Sequence, residues 1–486
     1  MFILCLYLNT IFLYIYYMFF YQSPTGDYFN NVWYKNNYDL NHIPDNQLMT
    51  HYETIGAKLN YNPSLYFNTK WYKETYKLFN DENPIKHFLN NVKTCRPNEK
   101  CKYLVSSNFK SEFINIRGDF VPLTNEPKRY NLILPGISFS AGPMTIIHFA
   151  NLLAKNGYLV RIISMYNNDI DQFKQITHKI NNFNENIQYE TMVNNHVKIS
   201  YDDVFIASAW WTIYPLKFIL GYLKNKHFFW FIQENELILH KGDSNYNYAM
   251  ETYKMDYYSF VNTSLLLDGL IDINFSHFSN DEYLKKCCVC FEPAFNSKLF
   301  KYVEKKANRK IKIIFYSRSH AERNLQNLIY DSLRTCFMNG IVDETNYEII
   351  GFGHGVGKYK IDDNFYVNEV GFLNEEDYAK LFRDSDILIS FVLSTHPGYA
   401  PLEMSYCNGV CIHNNYNFKN NDSINRYSDK ILMCEPNVIS IVEKIIEAID
   451  IIKTNSIMNI PPKLLNEEWD VALTECFNFL KTHELK

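Results

Sequence analysis

The stretch Phe391–Asn408, FVLSTHPGYAPLEMSYCN, sets the reading of the whole chain. An apolar strand pattern from Asp386 to Leu393 runs into a polar loop, Ser394 to Tyr399, and Pro401 then opens a segment of helical composition. Strand, loop and helix start, in that order, leave backbone N–H groups and a positive dipole end facing an anion. Pro401 suits the first helical turn, where its missing N–H costs nothing. Glu403 falls about one turn further on, in reach of a hydroxyl of whatever carries the anion. The stretch therefore predicts a site for a nucleotide-sugar diphosphate.

The same alternation extends in both directions. Upstream lie a strand at Ile311–Tyr316, a helix at Leu325–Cys336, strands at Tyr347–Gly353 and Phe365–Val370, and a helix at Asp377–Arg383. Downstream come a strand at Val410–His413 and a helix at Asn437–Ile452. An earlier series runs through strands at Tyr130–Pro135, Tyr158–Met165, Asp203–Ser208, His227–Gln233 and Cys288–Phe291, with an amphipathic helix at Met144–Lys155. Two successive βα series predict an α/β protein of two doubly wound, Rossmann-like domains facing across a cleft. The first turn of the earlier series, Gly136 to Pro143, is not G-x-G-x-x-G, so no dinucleotide fingerprint is present. Gly142 there is suited to close approach of a substrate.

Ahead of these lies an aromatic repeat. Phe29, Trp33, Tyr34 and Tyr38 recur 38 residues later as Phe67, Trp71, Tyr72 and Tyr76, and His51-Tyr52 recurs as His87-Phe88. Aromatics at i, i+4 and i+5 share one helical face, which predicts a small all-α module with structural histidines. Residues 102–129 read as a linker. The organisation expected is thus a hydrophobic segment at 1–22, the repeat module at 23–105, Rossmann-like domains at 106–295 and 296–455, and a tail helix at 456–486.

Residues 1–21 are uncharged and apolar apart from Asn9 and Thr10, enough to span a bilayer. They read equally as an anchor, giving membrane contact on the cytoplasmic face of a cytoplasmic body, or as the product of a start misplaced ahead of Met18. The net charge of −5 provides no basic footprint for nucleic acid. Of the 11 cysteines only Cys287, Cys288 and Cys290 cluster, without a second ligand pair at zinc spacing, and they read as a buried strand of a reducing compartment.

The chemistry-bearing residues stand where strands end. Arg318 and Arg323 follow a strand and suit a bidentate grip on a diphosphate, against the alternative of two surface arginines. Gln233-Glu234-Asn235-Glu236 ends another strand and faces either the cleft or solvent. Gly351, Gly353, Gly355 and Gly357 read as a flexible turn.

Arg318 and Arg323, followed by Glu403, resemble the diphosphate grip and ribose-binding glutamate of retaining GT-B glycosyltransferases of the family 4 type. More closely, FYSRSHAERN (315–324), GFLNEEDYAKLFRDSDILIS (371–390) and LSTHPGYAPLEM (393–404) resemble rhamnosyltransferases of the WsaF type. Phe231–Glu236, Tyr248-Ala249 and Thr252-Tyr253 are similar to the N-terminal half of those enzymes, and the aromatic repeat to modules that precede such domains. The resemblance implies retaining transfer of a hexose, L-rhamnose among the candidates, from a nucleoside diphosphate donor to a glycan or lipid-linked glycan, with no cofactor; no metal is expected either, because no Asp-x-Asp cluster follows a strand in the second half, Asp384 and Asp386 preceding one instead. It places the donor on Arg318, Arg323, Asn324, Thr395, His396, Pro397, Gly398, Tyr399 and Glu403. Gly142 and Gln233 fall on the acceptor side, and Glu234, Glu236 and His396 are the catalytic candidates. One departure stands out: the first glutamate of the family 4 E-x7-E pattern is replaced by Thr395, as in the WsaF type, so its contact with the sugar passes to Thr395, His396 or backbone N–H groups. A catalytically silent glycan-binding scaffold and a nucleotide-sugar epimerase of the same architecture are the rival readings.

Overall fold

The computed structural model describes residues 29–87 and 119–484, other than 65–66, 68, 79–81, 167–168, 194, 241, 305–308, 363–364, 455–462 and 464. The apolar segment at 1–22 lies outside these, and no helix among the described residues is long and apolar enough to cross a membrane. The chain divides into two compact units, one of residues 1–127 with 194–201 and one of 128–193 with 202–486.

In the smaller unit, α1 (Asn31–Asn37) is capped by Asn30, whose side chain accepts from the Trp33 N–H at 2.9 Å. The helix buries Trp33 and Tyr34 against Leu48, Tyr52, Phe67, Tyr72 and Ile85. The repeat is visible in the hydrogen bonding. Tyr34 Oη lies 3.0 Å from His51 Nδ1, and Tyr72 Oη, on α2 (Thr69–Tyr76), lies 3.1 Å from His87 Nδ1. Burial raises the Tyr34 hydroxyl and lowers His51, so this pair is neutral and mutually satisfied, a structural joint. Part of the stretch read as linker is ordered: β1 (Asp119–Leu123) pairs in parallel with β5 (His196–Ser200) within this unit.

The larger unit holds two seven-stranded sheets. In the first half the strands are β2 (Tyr130–Leu134), β3 (Val160–Ser164), β4 (Gln188–Thr191), β6 (Val204–Ala207), β7 (Phe228–Ile232), β8 (Tyr257–Asn262) and β9 (Cys288–Phe291). Their order is β4-β3-β2-β6-β7-β8-β9 and every pairing is parallel. The runs YNLIL, polar only at Asn131, and FFWFI are buried throughout, as strands covered by helices on both faces require. Helix α3 (Ala141–Lys155) covers one face, and α4 (Ser264–Asp272) follows β8.

The second half comprises β10 (Ile311–Ser317), β11 (Tyr347–Gly353), β12 (Val356–Asp362), β13 (Phe365–Val370), β14 (Ile387–Ile389), β15 (Val410–Asn414) and β16 (Ile431–Cys434), in the order β12-β13-β11-β10-β14-β15-β16. Only β12 is antiparallel. The glycine stretch read as a flexible turn therefore closes β11 and opens this edge strand. Gly353, at φ 133°, packs so closely on the end of β10 that a Cβ there would lie 2.4 Å from the Ser317 carbonyl oxygen. Helices α5 (Gln326–Met338), α6 (Glu375–Asp384), α7 (Tyr399–Tyr406) and α8 (Val438–Thr454) complete this half.

The chain then returns. Helix α9 (Thr474–His483) buries Leu480 and Cys476 in the core of the first half, and Trp469 stacks on His148 of α3. The outgoing and returning connections touch where Phe295 N–H donates to the Asn466 carbonyl at 2.7 Å. In each sheet the strand order reverses beside its first strand, at β2/β6 and at β10/β14. That reversal opens a crevice at the C-terminal strand ends, where doubly wound sheets take ligands.

Candidate active site

The loops leaving β10 and β14 flank the crevice of the second half, and they are tied together. Asn324 Nδ2 donates to the Phe391 carbonyl at 2.9 Å, and Leu393 N–H donates to the Arg323 carbonyl at 2.9 Å. The loop after β14 is self-braced: His396 N–H donates to Ser394 Oγ, and Gly398 N–H to His396 Nδ1, both at 2.9 Å. Gly398 sits at φ 76°, where a side chain is strained, and opens α7. Pro397 has no N–H and Gly398's is taken, so neither residue offers a backbone donor to a ligand.

His396 offers a ring N–H instead. Nδ1 is the acceptor, so in the neutral ring the hydrogen lies on Nε2, which is buried and has no protein partner. Burial, then the nearby Lys419 and Arg323, push its pKa down to about 3, which keeps the ring neutral.

Glu234, two residues beyond β7, joins the halves. Its Oε1 accepts from Ser394 Oγ at 2.6 Å, and its Oε2 lies 3.3 Å from Arg323 Nη1. Its carboxyl is raised by burial, against the lowering pull of Ser394 and Arg323. Beneath the loop is Lys419, fully buried, with Nζ 3.0 Å from the Val392 carbonyl and 2.9 Å from His413 Nε2. Burial brings it down to about 7, opposed chiefly by the charge of Glu234.

The other predicted residues are placed as follows. Arg318 lies half-buried over the Tyr316 ring at 5.4 Å, in the same loop as Arg323 but not bonded to Glu234. Glu403 Oε2 accepts from Tyr378 of α6 at 2.5 Å, and burial pushes its pKa up to about 7. Gln233 Nε2 donates to the Gly142 carbonyl at 3.2 Å, which brings those two together. Glu236 turns elsewhere: its Oε2 accepts from the Trp210 N–H at 2.6 Å, and burial raises it to about 8. Thr395 is buried against Gly269 of α4, where a Cβ would stand 2.8 Å from the Thr395 side chain. Tyr399 reaches Asn262 Nδ2 at 3.0 Å and lies 3.5 Å from Thr145 Oγ1 of α3. Lys419, Tyr378 and Asn262 were not singled out from the sequence: Tyr378 stands inside the 371–390 motif without a role of its own, and the other two lie in stretches that read as surface or core filler.

Comparison with known proteins matches residues 129–263 to the WsaF N-terminal domain and residues 311–446 to the WsaF C-terminal domain, together more than half of the chain. The chain belongs to the WsaF-like GT-B glycosyltransferases. A curated relative, the O-antigen biosynthesis protein RfbC of Myxococcus xanthus, is 23% identical over 263 residues. That match takes in 51% of this chain but only 18% of the relative's length. Among solved structures, Anabaena HepE in complex with UDP-glucose is 10% identical, with a TM-score of 0.49 over 74% of this chain and 98% of that one. A glycosyltransferase from Rickettsia africae is 13% identical, with a TM-score of 0.46 over 74% and 97%. In this WsaF-like chain the two sheets meet at the Glu234, Arg323 and Ser394 contact.

Proposed function

We propose that this WsaF-like enzyme transfers a hexose, L-rhamnose being the first candidate, from a nucleoside diphosphate donor to a growing glycan or lipid-linked glycan, with retention and without a metal ion. The observation that carries this reading is the meeting of Glu234 from the first half with Arg323 and Ser394 from the two crevice loops of the second. A cation and a carboxylate are thereby held on opposite sides of one cleft, where a donor and an acceptor hydroxyl must meet.

The reaction demands stabilisation of a diphosphate that gains charge as the glycosidic C–O bond breaks. Arg323 and Arg318 supply guanidiniums. Lys419 adds positive potential from below the loop. Glu403 takes the ribose hydroxyls. Glu234 orients the acceptor hydroxyl, whose proton passes to an oxygen of the departing diphosphate as the new bond forms on the face that the leaving group vacates. Glu236, turned to Trp210, keeps the loop after β7 in place. The test is incubation with a panel of nucleotide sugars, following thermal shift, nucleoside diphosphate release and the anomeric configuration of the product by NMR, with and without EDTA. A protein that neither binds nor cleaves any of them refutes the enzyme reading; an inverted product or EDTA-sensitive turnover refutes retention or metal independence.

A further inference from the structure

Two buried polar atoms flank Tyr399 without protein partners: Asn262 Oδ1 from the first half and His396 Nε2 from the second. Buried polar groups in folded proteins are nearly always paired, so each exception asks for a ligand or another explanation. Asn262 is 0% exposed at the C-terminal end of β8, and its Nδ2 is committed to Tyr399 Oη at 3.0 Å. The His396 ring lies over the Tyr399 ring, 5.8 Å away and tilted by 22°, and its Nδ1 is committed to Gly398 N–H. Each side chain thus has one end fixed and the other unused. A third observation is independent of both. Thr263, directly after Asn262, sits at φ 80°, a backbone conformation that a β-branched residue adopts only under constraint from its surroundings. The constraint is visible: Thr263 N–H donates to the Phe291 carbonyl at 2.8 Å, and its Oγ1 caps α4 by accepting from Leu266 N–H at 3.2 Å. Such outliers concentrate at ligand sites.

We propose that Asn262 and His396 read the hydroxyl groups of the sugar being transferred. Asn262 Oδ1 accepts a hydroxyl hydrogen, and His396 Nε2–H donates to a hydroxyl oxygen, with Tyr399 between them as spacer and wall. The chemistry distinguishes this ligand from the diphosphate. A phosphate oxygen has no hydrogen to give Asn262 Oδ1 and is repelled by it, whereas a hydroxyl satisfies either atom and a pair of hydroxyls satisfies both. Asn262 is therefore a specificity residue for the hexose, and the inference rests on the glycosyltransferase reading above.

The experiment compares wild type with Asn262→Leu and Asn262→Asp by calorimetry. The ligands are UDP and dTDP alone, then UDP-glucose, UDP-N-acetylglucosamine, GDP-mannose and dTDP-L-rhamnose, with melting curves to show which variants fold. The expected result is unchanged binding of the bare nucleotides by both variants. Binding of the nucleotide sugar that wild type prefers falls about 10- to 100-fold in Asn262→Leu. It is largely retained in Asn262→Asp, which keeps the acceptor oxygen. Equal loss of bare nucleotides and nucleotide sugars overturns the proposal, because Asn262 then merely holds the loop. Undiminished nucleotide-sugar binding by a folded Asn262→Leu, or by both variants, also overturns it. If Asn262→Leu does not fold, the smaller Asn262→Ala takes its place and is read the same way: a fall confined to the nucleotide sugar supports the proposal, and an equal fall for bare nucleotides, or no fall at all, overturns it. Wild type that binds no nucleotide sugar in the panel overturns the glycosyltransferase reading and takes this inference with it.

Discussion

Replacing Arg323 with Met separates two jobs that one guanidinium performs. In the free protein Arg323 is tethered to Glu234 at 3.3 Å, with the two side chains 30% and 18% exposed. That distance is long for a charge-assisted bond and the pair is open to water, so losing it costs about 0–1 kcal/mol of stability. Losing a charge-assisted bond to a diphosphate costs more, about 1.5–3 kcal/mol. At about 1.4 kcal/mol per tenfold, that is roughly a 10- to 150-fold loss of UDP or dTDP affinity. The same geometry predicts the opposite sign for Glu234→Gln. Neutralising the tether frees Arg323, so bare nucleotide binds more tightly while sugar transfer falls. Arg323→Lys restores the charge but not the planar fork, and recovers only part of the affinity. Isothermal titration with UDP and dTDP, beside melting curves, reads all three variants. Nucleotide affinity in Arg323→Met equal to that of wild type refutes the reasoning, and so does a Glu234→Gln variant that binds nucleotide less well.

Three further expectations follow from single contacts. Tyr378→Phe removes the hydroxyl that Glu403 accepts from at 2.5 Å, and should weaken UDP binding about 2- to 10-fold with little change in kcat; an unchanged Kd for UDP rules the contact out of donor binding. Glu236 is raised by burial to about 8, so its neutral form is favoured by folding and the stability this provides is complete below the unfolded carboxylate range. That stability is lost as pH rises from about 4.5 to 8, so melting temperature should fall with pH over this window in wild type more steeply than in Glu236→Gln; parallel profiles would show that Glu236 ionises normally. Gly269→Ala places a Cβ 2.8 Å from the Thr395 side chain, so one half must shift against the other, and transfer should drop about tenfold or more, while full activity would show that the Thr395 contact bends freely.

Much of the fold was legible because doubly wound sheets announce themselves. FFWFI is apolar on both faces, YNLIL and IKIIFY are interrupted by one polar residue each, and all three stop at polar loops, so both Rossmann-like halves and the loop positions of Arg323 and Ser394–Tyr399 followed from the order of strands and loops. What escaped was set by contacts distant in sequence. Lys419 lies in NNYNFKN, which reads as a solvated loop; only the fold places its Nζ under Val392 and His413. Asn262 ends a strand, YYSFVN, that mixes aromatics with polar residues and escapes a search for continuous apolar runs. The gap left by the missing family 4 glutamate was legible as Thr395, but not its cause. The structure shows what the position does instead: Thr395 packs against Gly269 of the first half, so closely that a Cβ at Gly269 would stand 2.8 Å from its side chain.

The bond between Phe295 and Asn466 has a mechanical consequence. The chain passes from the first half to the second and back again, and the two passages are laced together at that point. Two independent tethers at separate places would lock the halves; two tethers side by side act as one pivot. Any opening of the cleft must then swing about this point. The load falls on the distant grips that span the halves: Arg426 on Asp268 at 2.6 Å, Tyr399 on Asn262, and Ser394 on Glu234. Those last two are groups that the substrates themselves are proposed to engage. An acceptor hydroxyl arriving at Glu234 would therefore compete with Ser394 for the clasp that holds the jaws shut, so loading of the acceptor and loosening of the closed state become a single event.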